Sequence, residues 1–273
     1  MPQNHATQAS LTAHGLHNKS CLVDNLFAEL WKQIGMPALL ACAGFKKRSG
    51  TPIGELVYLL MLWTWLKVDS IGMFARESLK TFSLAQKDAL YGLMNREDLN
   101  WRRLHYQLAM SAVRSIKTKR ETSAFVLDDS IKMRSGKRMP GVSSHFDHTS
   151  GRCVMGQQVL TLALSSPEGF APLDCELYIS NVKVQALNEP FKDGRSVVAK
   201  RHKAAVQQTK PEMARDMIRR AMAFGIQALY LLADAWFGTK TMIRTAIESG
   251  LIPVLRMKKN AMKYRVTECV EGK

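Results

Sequence analysis

The sequence has few cysteines, and their positions form no pattern. The five cysteines are an odd number, and none belongs to a Cys-x-x-Cys pair; they are Cys21, Cys42, Cys153, Cys175 and Cys269. Disulfide frameworks use even numbers of cysteines, and structural zinc sites use closely spaced pairs. The sequence therefore predicts reduced thiols in a cytosolic protein and disfavours both a disulfide scaffold and a zinc site.

Long hydrophobic runs are also missing. A helix that crosses a bilayer needs about 20 apolar residues, and the longest run, from Leu56 to Leu66, is much shorter. This run predicts a buried helix in a globular protein with no membrane association. Residues 1–20 are polar and contain no apolar core. We therefore expect a disordered tail there and not a secretory signal.

Acidic residues are too few to balance the basic ones. There are 39 lysines and arginines but 23 aspartates and glutamates, which leaves a formal net charge of +16. Such an excess favours a polyanionic partner, although ribosome-associated and membrane-surface proteins carry similar charge. The basic residues are spread along the chain, and this favours a broad surface facing DNA or RNA over a localisation signal.

The length of 273 residues fits one large or two modest domains. Residues 21–121 show the helical spacing of apolar side chains, and the pattern changes at Thr122, where we expect a domain boundary. One helix is expected to begin at Thr51-Pro52, because a hydroxyl residue followed by proline is typical of a helix start. Further helices are expected over residues 70–82, 84–95 and 101–117. The last of these carries a basic surface, which is as consistent with a solvated face as with a DNA-contacting one.

Residues 122–273 read as strands followed by alternating helices and strands. A first strand is expected at residues 123–127, and a turn at 165–169 predicts a hairpin of two longer strands, 153–164 and 170–179. The later elements are helix, strand, helix and strand, at residues 210–224, 228–233, 239–249 and 252–257. Two polar, basic connections are expected at residues 131–152 and 181–209. The order β-β-β-α-β-α-β predicts an α/β fold of the ribonuclease H-like type, a mixed sheet with helices on its faces, preceded by an all-α region.

The first and fourth of these strands each end in aspartate. Residues 124–127 lead into Asp128 and Asp129, and residues 229–233 lead into Asp234. In a ribonuclease H-like sheet the first and fourth strands are central neighbours, so we expect their carboxylates within reach of one divalent cation. Two such carboxylates are the smallest set of ligands that we expect at a metal site for phosphoryl transfer.

Three stretches carry a family resemblance. They are Leu127-Asp128-Asp129-Ser130, the basic loop Gly136-Lys137-Arg138, and the run from Leu232 to Gly238. Together they resemble the catalytic core of DDE-type transposases of bacterial insertion sequences, within the insertion-sequence-four superfamily. The resemblance extends from Ser123 to Tyr264, and it implies a DNA transposase that cleaves phosphodiesters and transfers strands. In that family the helical region before the core binds transposon ends, which implies the same role for residues 21–121.

The resemblance implies roles for individual aspartates. The family's first aspartate is followed two positions later by threonine or serine, which assigns this role to Asp128, with Ser130 as the hydroxyl residue. Its second aspartate precedes an aromatic-glycine segment, which fits Asp234. Both are then catalytic residues and ligands of Mg²⁺ or Mn²⁺, hard cations that take carboxylate oxygen. Asp129, which strand alternation turns to the other face, is expected to be a solvent-exposed or loop-capping acid.

Basic residues directly after the first strand are candidate DNA ligands, with a solvated loop as the alternative. They could clamp the phosphate backbone near the metal ions. These residues are Lys132, Arg134, Lys137 and Arg138. A second basic stretch, residues 192–203, is as consistent with a mobile solvated loop as with a DNA contact.

A DDE site also requires a third carboxylate, and here the sequence departs from the family. The family's glutamate lies on a helix after the fifth strand, whereas the glutamates after Asp234 are Glu248, Glu268 and Glu271. Glu248 precedes the fifth strand, and the residues before Glu268 read as a turn and an extended segment. The insertion-sequence-four group has a β-rich insertion at this place, with the glutamate well beyond it. We therefore expect a chain that stops inside the insertion, as a truncated transposase, a fragment or one reading frame of an interrupted element.

Two other functions stay open at this level. One is a ribonuclease H-like nuclease without strand transfer, and the other is a non-catalytic DNA-binding remnant. For the transposase, the resemblance implies transposon ends and target DNA as partners. It also implies a homodimer assembled on paired ends and a location in the bacterial cytoplasm with the nucleoid.

Overall fold

The structure, a computed structural model, describes residues 22–135, 139–147, 150–180 and 191–257, with the backbone alone for residues 22–24. These residues divide into two compact units. The helical unit contains residues 22–115, 139–140, 180 and 191–207, and the sheet unit contains residues 116–135, 141–147, 150–179 and 208–257. Residues 191–207 therefore group with the helices, although the sequence suggested that they belong to the second domain. The predicted tail, residues 1–20, lies outside the described residues.

Within the described residues, seven helices precede the sheet. They are α1 Leu22–Gln33, α2 Met36–Cys42, α3 Ile53–Trp65, α4 Ile71–Glu77, α5 Leu79–Phe82, α6 Lys87–Met94 and α7 Trp101–Ile116. The hydrophobic run forms α3 and is buried along much of its length, as the sequence predicts. The single helix expected over residues 70–82 is instead α4 and α5, which are separated at Ser78, where φ is −131°. No helix in the described part of the chain is long and apolar enough to cross a membrane.

The sheet unit is built on a mixed sheet. Its strands are β1 Ala124–Met133, β2 Ser143–Asp147, β3 Arg152–Ser166, β4 Gly169–Tyr178, β5 Tyr230–Ala233 and β6 Ile252–Leu255. The strand order is β2-β3-β1-β5-β6, and β4 pairs with β3 as well. The pairs that involve β3 are antiparallel, whereas β1 with β5 and β5 with β6 are parallel. β1 and β5 are therefore neighbours in the sheet, which agrees with the expectation from sequence.

Three elements differ from those expected. β1 continues through Met133 because β3 is long enough to pair with all ten of its residues. β2 lies in a segment that we expected to be a connection, and it pairs with the first part of β3, from Ser143 opposite Gly156 to Asp147 opposite Arg152. The second expected connection contains a helix, α8 Val197–Gln207.

The sheet unit also contains α9 Lys210–Ala223 and α10 Lys240–Glu248. Thr209 and Glu212 form a capping box at the start of α9, and Gly225, with φ of 82°, follows its end. The buried face of α9 packs against β3 and β4; it consists of Met213, Ala214, Met217, Ile218 and Ala221. Burying a methionine or isoleucine side chain contributes about 1.5–3 kcal/mol. These contacts fix the position of the first residue of α9 relative to the sheet.

Candidate active site

The two candidate carboxylates lie at neighbouring positions of the sheet. Leu127 of β1 is in register with Ala233, the last residue of β5. The residues that follow these two in the sequence are Asp128 and Asp234, and both are exposed. Adjacent strands are about 4.8 Å apart, so each aspartate directly follows one member of a residue pair with about this spacing.

Asp128 lies within its strand and not after it, which corrects the prediction that β1 ends there. Its partner across the antiparallel pair is Thr161 of β3. On the other side β1 pairs with β5 only through residues 124–127. Asp128 is therefore the first residue of β1 beyond the end of β5, where the sheet becomes narrower. The Asp128 carboxylate is therefore exposed because β5 ends beside it, and not because β1 ends there.

Asp129 has a different environment. Its Oδ2 accepts hydrogen bonds from the Lys210 ammonium and from Nε2 of Gln158, the latter at 3.1 Å. Its side chain is 23% exposed, and that of Lys210 is 5% exposed. The prediction of a solvent-exposed or loop-capping acid is therefore wrong, because Asp129 is the partner of a buried lysine.

Lys210 contacts aromatic rings as well as Asp129. Its Nζ lies 4.1 Å from the centroid of the Trp236 ring and 5.1 Å from that of Tyr178. Aromatic faces attract cations, and the attraction is stronger where water is excluded. The ammonium is thus compensated by one carboxylate and two rings.

The loop after β5 is held by its own polar groups and by one buried ring. Oδ1 of Asp234 accepts a hydrogen bond from the backbone N–H of Trp236 at 3.0 Å, and the Asp234 carbonyl accepts one from Phe237 at 3.2 Å. Phe237 is buried, whereas Trp236 is 39% exposed. Gly238 lies directly against the chain after β6, where an added Cβ would come within 2.3 Å of the carbonyl oxygen of Arg256.

The structure describes two of the four predicted DNA-binding residues. Lys132 is exposed near the end of β1, about 13 Å along the strand from Asp128 at about 3.3 Å per residue. Arg134 is partly buried, and its Nε donates a hydrogen bond to Oε1 of Gln157 at 2.9 Å. Lys137 and Arg138 lie outside the described residues. Lys132 is thus the described member of this set with an exposed cationic side chain.

The comparison with protein families decides the broad class. A family model described as DDE superfamily endonuclease matches residues 67–271. The chain belongs to the DDE superfamily of endonucleases. The matched range of this DDE endonuclease contains both Asp128 and Asp234, as well as the whole sheet.

Other comparisons add little to this assignment. Among solved structures, the chain is similar to a chain of the Drosophila P element transposase strand transfer complex, at 9% sequence identity and a TM-score of 0.34. The alignment covers 83% of this chain and 42% of that chain, so the chain described here spans less than half of that chain's length. No curated protein matches the sequence.

Within residues 235–257, which the structure describes, the acidic residue is Glu248. Glu248 is the last residue of α10, and the chain then enters β6 at Ile252, which is paired with Tyr230 at the start of β5. Asp234 follows the opposite end of β5. That Glu248 is poorly placed to join Asp234 stays a prediction. Glu268 and Glu271 lie outside the described residues. Within the described ranges, no group of three or more His, Cys, Asp or Glu side chains could hold a metal ion.

Sequence reasoning missed Lys210 and Gln158. Lys210 entered it only as the first residue of a helix, and a lysine at that position carries no local sign of burial. Its hydrogen-bond partner, Asp129, is 81 residues away in the chain. The useful signal was the pair of adjacent aspartates, because strand alternation sends one of them to the helix-covered face, where a carboxylate needs a partner.

Proposed function

We propose that this chain is the catalytic region of a DNA transposase, with Asp128 and Asp234 as two ligands of a divalent cation. The observation that carries the proposal is the pairing register: Leu127 is opposite Ala233, and the two aspartates are the residues that follow this pair, where β5 ends and β1 continues. Both carboxylates are exposed at the end of β5, and carboxylate oxygen is the donor that Mg²⁺ and Mn²⁺ prefer. The residues present therefore fit such an ion.

The proposed reaction is cleavage of a DNA phosphodiester followed by strand transfer. A divalent cation held by Asp128 and Asp234 would supply a Lewis acid and a more acidic bound water for in-line displacement at phosphorus. The side chain of Lys132 is exposed on the same strand and would bind a backbone phosphate. We expect the third carboxylate to come from outside the described residues.

The finer assignment rests on the sequence motifs. We propose membership of the insertion-sequence-four superfamily from the residues around Asp128 and from the run between Leu232 and Gly238. DNA ends and target DNA are the proposed partners, and binding of the ends is assigned to the helical unit. The net charge of +16 supports a polyanionic partner.

A nicking assay tests the assignment of Asp128 and Asp234. Supercoiled plasmid incubated with the protein and Mg²⁺ or Mn²⁺ should be nicked, and Asp128→Asn and Asp234→Asn should each lower the rate by at least about 100-fold, the usual cost of losing a group that stabilises transition-state charge. Glu248→Gln is the matched control, because it removes an exposed carboxylate from the same unit and should keep the parent rate.

The possible outcomes separate three functions. Nicking followed by joining of the cleaved 3′ end to target DNA supports the transposase. Metal-dependent nicking without joining identifies a ribonuclease H-like nuclease. Salt-sensitive DNA binding with no nicking identifies a non-catalytic DNA-binding protein and contradicts the proposed activity.

A further inference from the structure

Lys210, the buried lysine at the start of α9, contacts one residue near each candidate carboxylate. Lys210 is 4% exposed, and its ammonium contacts both the Asp129 carboxylate and the Trp236 ring. Asp129 directly follows Asp128 in β1. Trp236 donates its backbone N–H to the carboxylate of Asp234. One cation is thus in contact with the neighbour of the first aspartate and with the residue that orients the second.

We propose that Lys210 is a positioning residue that fixes the Asp234 loop against β1. Its contact with Asp129 anchors the ammonium to the strand, and its contact with Trp236 anchors the loop to the ammonium. The side chain of Asp128 points to the opposite face of β1 from that of Asp129. Lys210 therefore acts through Asp129 and Trp236, and it does not occupy the place of a cation at Asp128 and Asp234.

Several neighbouring residues restrict the position of the Lys210 side chain. Gln158 of β3 donates to the same Asp129 oxygen as the lysine does. Tyr178, the last residue of β4, presents its ring to the ammonium at 5.1 Å. The capping box of Thr209 and Glu212 fixes the backbone from which the side chain starts. Breaking the contact between Lys210 and Asp129 would leave a buried charge uncompensated, which is strongly destabilising.

The consequence for metal binding rests on the proposed function, whereas the contact itself does not. Residues that orient metal ligands, without touching the metal, commonly change metal affinity by 10–100-fold when they are replaced. If Lys210 holds the spacing of Asp128 and Asp234, its loss should weaken the apparent affinity for Mn²⁺ more than it lowers the rate at saturating Mn²⁺.

The test uses four variants of the full chain. Lys210→Met removes the charge at similar length, and Lys210→Arg keeps it. The double variant Asp129→Asn with Lys210→Met removes both charges, so that no unpaired ion destabilises the fold. The control is Lys240→Met, because Lys240 is also the first residue of a helix that follows a capping threonine but is exposed.

The first measurement is hydrogen exchange of the metal-free protein. In the double variant, the amides of residues 234–238 should exchange at least about tenfold faster, a shift of RT ln 10, with β3 and α9 unchanged. Lys210→Met should lose at least as much protection in residues 234–238, and its unpaired Asp129 should also lower protection in β3 and α9. Lys210→Arg should restore most of the protection, and Lys240→Met should match the parent. Equal loss of protection throughout the sheet unit would show a purely structural role and overturn the proposal, as would an unchanged loop.

The second measurement is the Mn²⁺ concentration that gives half-maximal nicking. It should rise roughly tenfold in the double variant, while the rate at saturating Mn²⁺ stays within about threefold of the parent. An unchanged half-maximal concentration with a mobile loop would overturn the link to metal binding. If the parent protein itself shows no metal-dependent nicking, the proposed function fails, and the exchange measurement alone decides whether Lys210 positions the loop.

Discussion

At the scale of single residues, two adjacent aspartates in β1 have opposite environments. Successive side chains of a strand point to opposite faces of the sheet. Asp129 therefore turns to the face covered by α9 and pairs with Lys210, whereas Asp128 is exposed where β5 ends. A carboxylate that a buried lysine already neutralises is poorly suited to a cation. The pairing of Asp129 thus supports the proposal that Asp128, and not Asp129, is a metal ligand.

Gly238 is the residue at which backbone packing leaves no room for a side chain. An added Cβ would lie 2.3 Å from the Arg256 carbonyl oxygen and 3.1 Å from Cα of Met257, both backbone atoms that cannot move independently. We predict that Gly238→Ala destabilises the sheet unit by about 1–3 kcal/mol, the usual cost of overpacking. It should also displace the loop that carries Asp234.

Thermal unfolding followed by circular dichroism measures the effect of Gly238→Ala. Gly92→Ala is the control, since Gly92 lies inside α6 with no neighbour within 4 Å of the added Cβ. Alanine is the better helix former by about 1 kcal/mol, so this control should unfold at the same or a higher temperature. An unchanged unfolding temperature for Gly238→Ala would contradict the prediction.

At the scale of elements, one glutamate attaches the start of α8 to the helical unit. The Glu97 carboxylate accepts hydrogen bonds from the backbone N–H groups of Lys192 and Asp193, at 2.9 and 3.2 Å, and from the Ser196 hydroxyl at 3.4 Å. The Glu97 carbonyl also accepts the N–H of Val198. These bonds explain why residues 191–207 group with helices that lie far earlier in the chain.

The same bonds predict a dependence on pH. The backbone hydrogen bond from Lys192, more than any other contact, holds the pKa of Glu97 below its usual value. A carboxyl group whose pKa is lower in the folded state stabilises that state above its unfolded pKa, about 4.3. Its contribution is lost as the pH falls through the lower, folded-state pKa. We therefore predict that Glu97→Gln weakens the attachment of α8 at pH 7 and that this difference shrinks as the pH falls through the folded-state pKa of Glu97.

Hydrogen exchange of residues 192–199 measures this attachment. The ratio of exchange rates between Glu97→Gln and the parent should exceed one at pH 7 and should fall toward one across a pH series that ends at about 3, below the unfolded pKa of about 4.3. Glu77→Gln, which changes an exposed glutamate of α4, should give a ratio near one at both values. A ratio for Glu97→Gln that does not change with pH would show that the charge of this carboxylate is not what holds α8.

At the scale of the whole molecule, charge is the dominant property. The net charge of +16 predicts DNA binding through phosphate contacts and the release of counterions. The logarithm of the binding constant should fall linearly with the logarithm of the salt concentration, by about 0.9 for each phosphate neutralised. Lys132→Ala should reduce this slope by about one, and Lys132→Arg, which keeps the charge, should not.

Fluorescence anisotropy with a labelled duplex, at salt concentrations between 50 and 200 mM, measures the slope. Six to ten phosphate contacts correspond to a loss of about 10³–10⁵ in affinity over this range. An affinity that does not change with salt would contradict a phosphate-binding surface. A slope that is the same in Lys132→Ala would remove Lys132 from it.

The sequence by itself determined the features that depend on neighbours in the chain. The helix expected over residues 210–224 is α9, because the fixed φ of Pro211 and the left-handed backbone of Gly225 act within a few residues. The two hydrophobic runs that lead to Asp128 and Asp234 predicted neighbouring strands, and the register agrees. The net charge, a sum over residues, needs no structure at all.

Only the tertiary structure decided the features that depend on distant partners. β1 reaches Met133 because β3 pairs with it, and the exposure of Asp128 depends on where β5 ends. Asp129 meets Lys210 across 81 residues of chain, and Glu97 meets Lys192 across 95. Such pairings have no local signature, because any of many acids and bases could satisfy one another until the fold brings two of them together.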